Sequence, residues 1–138
     1  MRPTTDRKRS DANLEVDLLS PIEEIERRMS TSTRKKLRRA SKRGISVRVG
    51  DRSDLACFFE LIEQTCTRQR TSPNPASLAQ LERFWDVFDP SGRCRLTLAD
   101  CRGETVAGLV SIIWGECLHL WKKGWSEECQ NGYPNHLL

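Results

Sequence analysis

The segment Thr105–Trp114 constrains this chain more than any other. It is almost wholly apolar, too short to cross a membrane, and bounded on both sides by turn chemistry. A short apolar run between turn signals reads as a strand covered on both faces. On its N-terminal side, Cys101, Arg102, Gly103 and Glu104 form a turn in which glycine supplies the positive φ of a tight hairpin. On its C-terminal side, Trp114, Gly115 and Glu116 turn the chain again. The flanking runs alternate. Arg95–Ala99 places Leu96 and Leu98 on one face, and Cys117–Lys123 places Leu118 and Leu120 on one face. Three consecutive antiparallel strands therefore precede a loop that turns into a helix at Pro134. The end of the third strand is the expected place for chemistry.

Helices precede this meander. Residues 1–17 are polar and aperiodic and read as a disordered leader. A helix is expected from Ser20 as N-cap and Pro21 at its first position, with Glu23 and Glu24 in the first turn and Ile22, Ile25 and Met29 at helical spacing. It should break or bend near Ser30–Thr33, continue through Arg34–Arg43 and stop at Gly44. Residues 18–44 are thus a basic helical segment. Ile45–Val49 alternates as a half-exposed strand, and Asp51–Asp54 offers caps to the next helix. That helix carries Leu55, Phe58, Phe59, Ile62 and Cys66 on one face. After a loop at 71–75, Ser77 and Gln80 read as a capping box for a helix with Leu78, Leu81, Trp85 and Phe88 inward, ended by Asp89–Gly92. The order α, β, α, α, β, β, β, with a further helix starting, indicates an α+β domain.

Charge is unevenly placed. The net +4 divides into +7 over residues 1–50 and −3 over residues 51–138. Seven of the ten residues Arg34–Arg43 are basic. Such a run is either a phosphate-binding surface or a solvated helix face with Leu37 and Ala40 packing inward. No aromatic residue interrupts it, so stacking recognition of single strands has nothing to work with. Within the polyanion reading, Arg34, Lys35, Arg38, Arg39 and Lys42 are the candidate phosphate or nucleic-acid contacts. The six cysteines show no CxxC pair, so neither a disulfide framework nor a zinc site is expected, and no metal is assigned. No apolar run reaches membrane-spanning length and no secretory h-region is visible, which makes the cytoplasm the expected compartment.

Taken together, several segments resemble one family. They are TRKKLRRASKRG followed at once by ISVRVG, the helix DLACFFELIEQTCTRQR, the hairpin RLTLADCRGETVAGLVSIIWG, and LHLWKKGWSEECQNGYPNHLL. In this order they resemble the GNAT-fold acyltransferases, in the branch of the Fem-type aminoacyltransferases and BioF2-like acetyltransferases. The resemblance covers roughly residues 20–138. It implies a partial GNAT-like fold, with residues 45–138 as an incomplete acyltransferase domain. Further strands would follow Leu138, so that the chain is a fragment or one part of a split protein, with activity weak or missing in this polypeptide alone and an open sheet edge available for self-association.

The resemblance also implies a site. The third strand would hold an acyl donor through Leu120, Trp121, Lys122 and Lys123. Gly132, Tyr133 and Asn135 would receive its phosphates at the loop and helix start. The wider superfamily's R/Q-x-x-G-x-G/A loop is not matched in full, since Gln130 and Gly132 are differently spaced. Acyl-CoA and aminoacyl-tRNA therefore both stand as donors, and the acceptor would be an amine or hydroxyl on a small molecule or a cell-wall or polysaccharide precursor. No catalytic base is assigned. Glu116, His119, Glu127 and Glu128 lie around the third strand, with His119 equally readable as a packed or edge residue and His136 as a surface residue. Trp121 and Trp125 line an acceptor cleft or belong to the core. The alternative function is a small nucleic-acid-binding module that uses the helix at 34–43.

Overall fold

The computed structural model describes residues 15–127 and 134–138. By compactness the chain divides after Ser30. The first unit contains α1 (Ile22–Arg28), which buries no residue and carries an i,i+4 ion pair between Glu24 and Arg28. Pro21 itself occupies the N-cap of α1, and the Ser20 hydroxyl donates instead to Asp17. The helix ends where Met29 turns extended (ψ 144°).

The second unit holds α2 (Thr31–Lys42), β1 (Ile45–Gly50), α3 (Leu55–Gln69), α4 (Leu78–Phe88), β2 (Cys94–Cys101), β3 (Glu104–Trp114) and β4 (Cys117–Trp125), with a 3₁₀ turn at Pro134–His136. The four strands form one antiparallel sheet in sequence order. Arg102 and Gly103 both take positive φ between β2 and β3. Two left-handed residues make a type I′ hairpin, whose twist matches that of the flanking strands.

The sheet is covered on both faces, and that explains the apolar character of β3, which is buried continuously from Val106 to Ser111. On one face, Leu96, Leu98 and Val110 meet Leu55, Phe58, Phe59 and Ile62 of α3 and Leu81 and Trp85 of α4. On the other, Ala99, Cys101, Val106 and Ala107 meet Ile45, Ala40 of α2, and Leu137 and Leu138. Helix α4 starts as the sequence indicates, with the Ser77 hydroxyl accepting from the Gln80 N–H, although the Gln80 side chain reaches back to the Ala76 N–H rather than to Ser77.

Ion pairs tie the 3₁₀ turn after β1 (Arg52–Asp54) to its surroundings. Arg48 binds both carboxylate oxygens of Asp54 at 2.8 and 2.9 Å and Asp100 at 2.8 Å. Arg52 pairs with Asp86 of α4 at 2.8 Å. Among the described residues Cys57, Cys66, Cys94 and Cys117 are free thiols, whereas Cys101 is disulfide-bonded, which the cysteine spacing did not suggest. No described helix is long and apolar enough to cross a membrane, and no described cluster of His, Cys, Asp and Glu is placed to hold a metal ion.

Candidate functional site

The third strand of the meander, β4, is not regular. It pairs with β3 as Gly124 with Gly108, Lys123 with Leu109 and Lys122 with Val110, and then Ser111 pairs with Leu120. Trp121 is the extra residue of a β-bulge. A bulge bends its strand and takes one residue out of the ladder. No described strand lies on the other edge of β4. The segment Leu120–Lys123 singled out from the sequence is therefore where the described sheet edge is kinked.

Each of the four residues has a different surrounding. Leu120 is exposed (68%). Trp121 turns inward and stacks on Phe84 of α4, ring centroids 3.9 Å apart, so its ring packs against the core. Lys122 is half-buried, with its ammonium 5.8 Å from the centre of that ring. Lys123 is exposed as a residue, yet its ammonium end is desolvated enough to lower its pKa.

Beyond the bulge β4 is seated on α3. Gly124 allows the contact, since a Cβ there would stand 2.6 Å from the Ile62 nitrogen and 2.7 Å from the Leu61 carbonyl carbon. The Thr65 hydroxyl accepts from the Trp125 N–H at 2.9 Å and donates to the Leu61 carbonyl at 2.8 Å. Arg68 donates to the Trp125 carbonyl and lies over the Trp125 ring, 5.3 Å from its centre. Trp125 is thus held by packing, like Trp121.

The chain beyond β4 returns at Pro134–His136, against α2 and the sheet. There His136 senses the positive charges of Lys36 on α2 and Lys123 on β4, and these add to burial in lowering its pKa. Three elements far apart in sequence thus converge on one cationic locus beside the end of β4. Sequence reasoning did not single out Lys36 or His136 for this place. Lys36 is hidden in a uniformly basic run, and only its half-buried position next to Leu37 separates it from its neighbours. Gly132 and Tyr133 lie outside the described residues, as does Glu128, and Asn135 lies in the 3₁₀ turn.

The remaining candidates occupy other surfaces. Arg34, Lys35, Arg38, Arg39 and Lys42 are all exposed, spread over about 140° of α2, while Leu37 is half-buried and Ala40 packs against the sheet. His119 is exposed on β4 opposite Ile112, and Glu116 is exposed in the β3–β4 turn. The structure brings neither to the bulge.

The chain that folds into this four-stranded sheet matches a known family. Its model, the acetyltransferase (GNAT) domain, matches residues 27–138. The chain belongs to the GNAT acetyltransferase domain family. Among solved structures, that of FemX is similar with a TM-score of 0.79 at 16% sequence identity, over 85% of this chain and 45% of the FemX chain. At that identity the likeness concerns the fold, and this chain spans under half the length of FemX. No curated protein sequence matches the chain. The α+β, GNAT-like fold expected from the sequence, and the resemblance to the Fem-type group, are both borne out.

Proposed function

We propose that this GNAT-family chain takes part in acyl transfer by holding an acyl donor along the bulged edge of β4, from Leu120 to Lys123. The donor's phosphates would lie against Gly132, Tyr133 and Asn135 and the locus formed by Lys36, Lys123 and His136. The observation that carries this is the bulge at Trp121 on an edge strand. An edge strand offers backbone N–H and C=O groups to an amide-bearing arm, as in strand addition. A bulge redirects those groups away from the regular ladder. An N–H aimed at the donor carbonyl stabilises the oxyanion that forms as an amine or hydroxyl attacks. Collapse of that intermediate expels the donor's sulfur or oxygen, and the acceptor's proton leaves to solvent or to the departing group. Alignment supplies much of the rate in such a step, so no general base is assigned.

GNAT domains generally use acyl-CoA, and we take it as the donor. Titrating the 138-residue chain with acetyl-CoA should give saturable binding and thermal stabilisation. Replacing Lys36 or Lys123 by Ala should weaken binding about tenfold, on the order of one charge-assisted contact. Absence of saturation at millimolar acetyl-CoA, or unchanged affinity in both variants, would refute the donor assignment.

A second reading uses α2. Its five exposed cations are not ion-paired with any described residue, a surface suited to a nucleic-acid backbone. In this reading the donor is an aminoacyl-tRNA, or the chain is a small nucleic-acid-binding module. Binding to tRNA should weaken with salt, and removing Arg38 and Arg39 together should lower the log–log slope by about 2. The acceptor we infer for the transfer reading is an amine or hydroxyl on a small molecule or a cell-wall or polysaccharide precursor, and the compartment is the cytoplasm.

A further inference from the structure

The β3–β4 hairpin runs past the start of β2. Cys94 opens β2 opposite Ile112, and beyond it the Arg93 carbonyl takes the Ile113 N–H at 2.8 Å. Over this end the hairpin ladder is regular, with Ser111, Ile112, Ile113 and Trp114 facing Leu120, His119, Leu118 and Cys117 in turn. Opposed residues share a face, so Ile113, Leu118 and Leu120 lie on one side and Trp114, Cys117 and His119 on the other. Both sides are exposed. Ile113 (38%), Trp114 (63%), Leu118 (45%) and Leu120 (68%) together show on the order of 400 Å², a size that marks interaction sites on monomers. A helix or a flat surface covers one face of a strand, whereas a strand added alongside covers both.

The edge suits such a strand. Trp114 and Cys117 close a two-residue turn and so exchange hydrogen bonds, as Ile112 and His119 then do by alternation. The N–H and C=O groups of Leu118 and Leu120 therefore point to the outer edge of β4, where no described strand pairs with them. The bulge at Trp121 ends this regular stretch. In antiparallel pairing about a twofold axis at His119, Leu118 of each copy meets Leu120 of the other. Both pairs close hydrogen-bonded rings with leucine against leucine, and the two His119 residues face each other. Exposed Glu116 of each copy is carried toward half-buried Lys122 of the other, so opposite charges meet at both ends. That self-complementarity singles out a second copy as the occupant.

We propose that the chain forms a twofold dimer in which β4 pairs with β4 over Leu118–Leu120, joining the two sheets into one. The patch supplies about half of the ~800 Å² per partner of a standard interface, so association is expected in the micromolar range. The pairing shares only Leu120 with the donor segment and does not rest on the donor assignment.

The test is sedimentation equilibrium of the 138-residue chain from micromolar to millimolar concentration, where a monomer–dimer equilibrium is expected. His119→Lys and His119→Glu each place like charges across the axis and should each weaken association at least tenfold. An equimolar mixture of the two variants should recover it, because a lysine then faces a glutamate. Leu118→Asp should weaken association at least tenfold as well. Val49→Lys, exposed on the opposite edge strand β1, should leave it unchanged. Far-UV circular dichroism should be the same in all four variants, since each altered side chain is exposed. A monomer at millimolar concentration, equal loss with Val49→Lys, or no recovery in the mixture would overturn the dimer. Acetyl-CoA binding is read at concentrations where the chain is monomeric, so the two assignments can fail independently.

Discussion

Replacing Gly124 by Ala should be among the most damaging small changes to this domain. The added Cβ would lie 2.6 Å from the Ile62 nitrogen and 2.7 Å from the Leu61 carbonyl carbon. Comfortable separations are about 1 Å longer. Both atoms are helix backbone, so no side chain can swing aside, and α3 must lift from β4 or the strand must give way. Overpacking of this kind costs about 1–3 kcal/mol. The displacement also strains the hydrogen bonds that tie the Trp125 backbone to Thr65 and Arg68, worth about 1 kcal/mol each if lost. The expected total is about 3 kcal/mol, equivalent to roughly 10 °C in Tm for a domain of this size.

Urea denaturation followed by tryptophan fluorescence would measure this, because Trp85, Trp121 and Trp125 all report on helix–sheet packing. Gly50→Ala is the comparison. There a Cβ would meet side-chain atoms of Leu96 and Leu98 at 2.8–2.9 Å, which can relax by rotamer change. That variant should lose about 1 kcal/mol. If Gly124→Ala costs less than Gly50→Ala, the seating of α3 on β4 described here is wrong.

Two further outcomes are expected. Arg48 holds the Asp54 carboxyl below its ordinary pKa of 3.8, so the pair's contribution is complete above that value and fades as pH falls through the lowered one. Asp54→Asn should therefore cost about 1 kcal/mol at neutral pH, the cost staying level down to the ordinary carboxylate range and fading as pH falls through the lowered pKa; a penalty that persists in strong acid would exclude the ionic explanation. Burial pushes the Cys94 thiol up to about 11, whereas Cys117 is exposed in the β3–β4 region. A charged disulfide reagent at pH 8 should label Cys117 at least about 100-fold faster than Cys94, since only about 0.1% of Cys94 would be thiolate there. Comparable rates would mean that the sheet opens readily around β2.

The elements that were legible in the sequence are those specified by local chemistry. Strands β2 and β3, the turn at Gly103, the Ser77 cap of α4 and the inward face of α3 each follow from a period or a turn residue over a few positions. The inward face was nonetheless incomplete. Leu61 and Thr65 are buried as well, because α3 is pressed on β4 at Gly124 as well as on the central strands. Helix α1 was misjudged at its cap, since a serine beside a proline signals a cap only if its hydroxyl is not taken by another partner, and Asp17 takes it. The Cys101 disulfide escaped notice because a pairing set by tertiary approach leaves no spacing signal.

By itself, the sequence determined the α+β order, the three-strand meander and the two-sided burial of β3. These depend on side-chain pattern and turn residues that act within ten or so positions. The tertiary structure decided which members of those patterns face each other. It put the bulge at Trp121, since register is settled between strands, and it turned that ring onto Phe84. It brought Lys36, Lys123 and His136 together from three elements, and it left the Ser126 hydroxyl buried without a hydrogen-bond partner. Charge convergence and unsatisfied burial depend on distances between segments remote in the chain, and no local pattern encodes those.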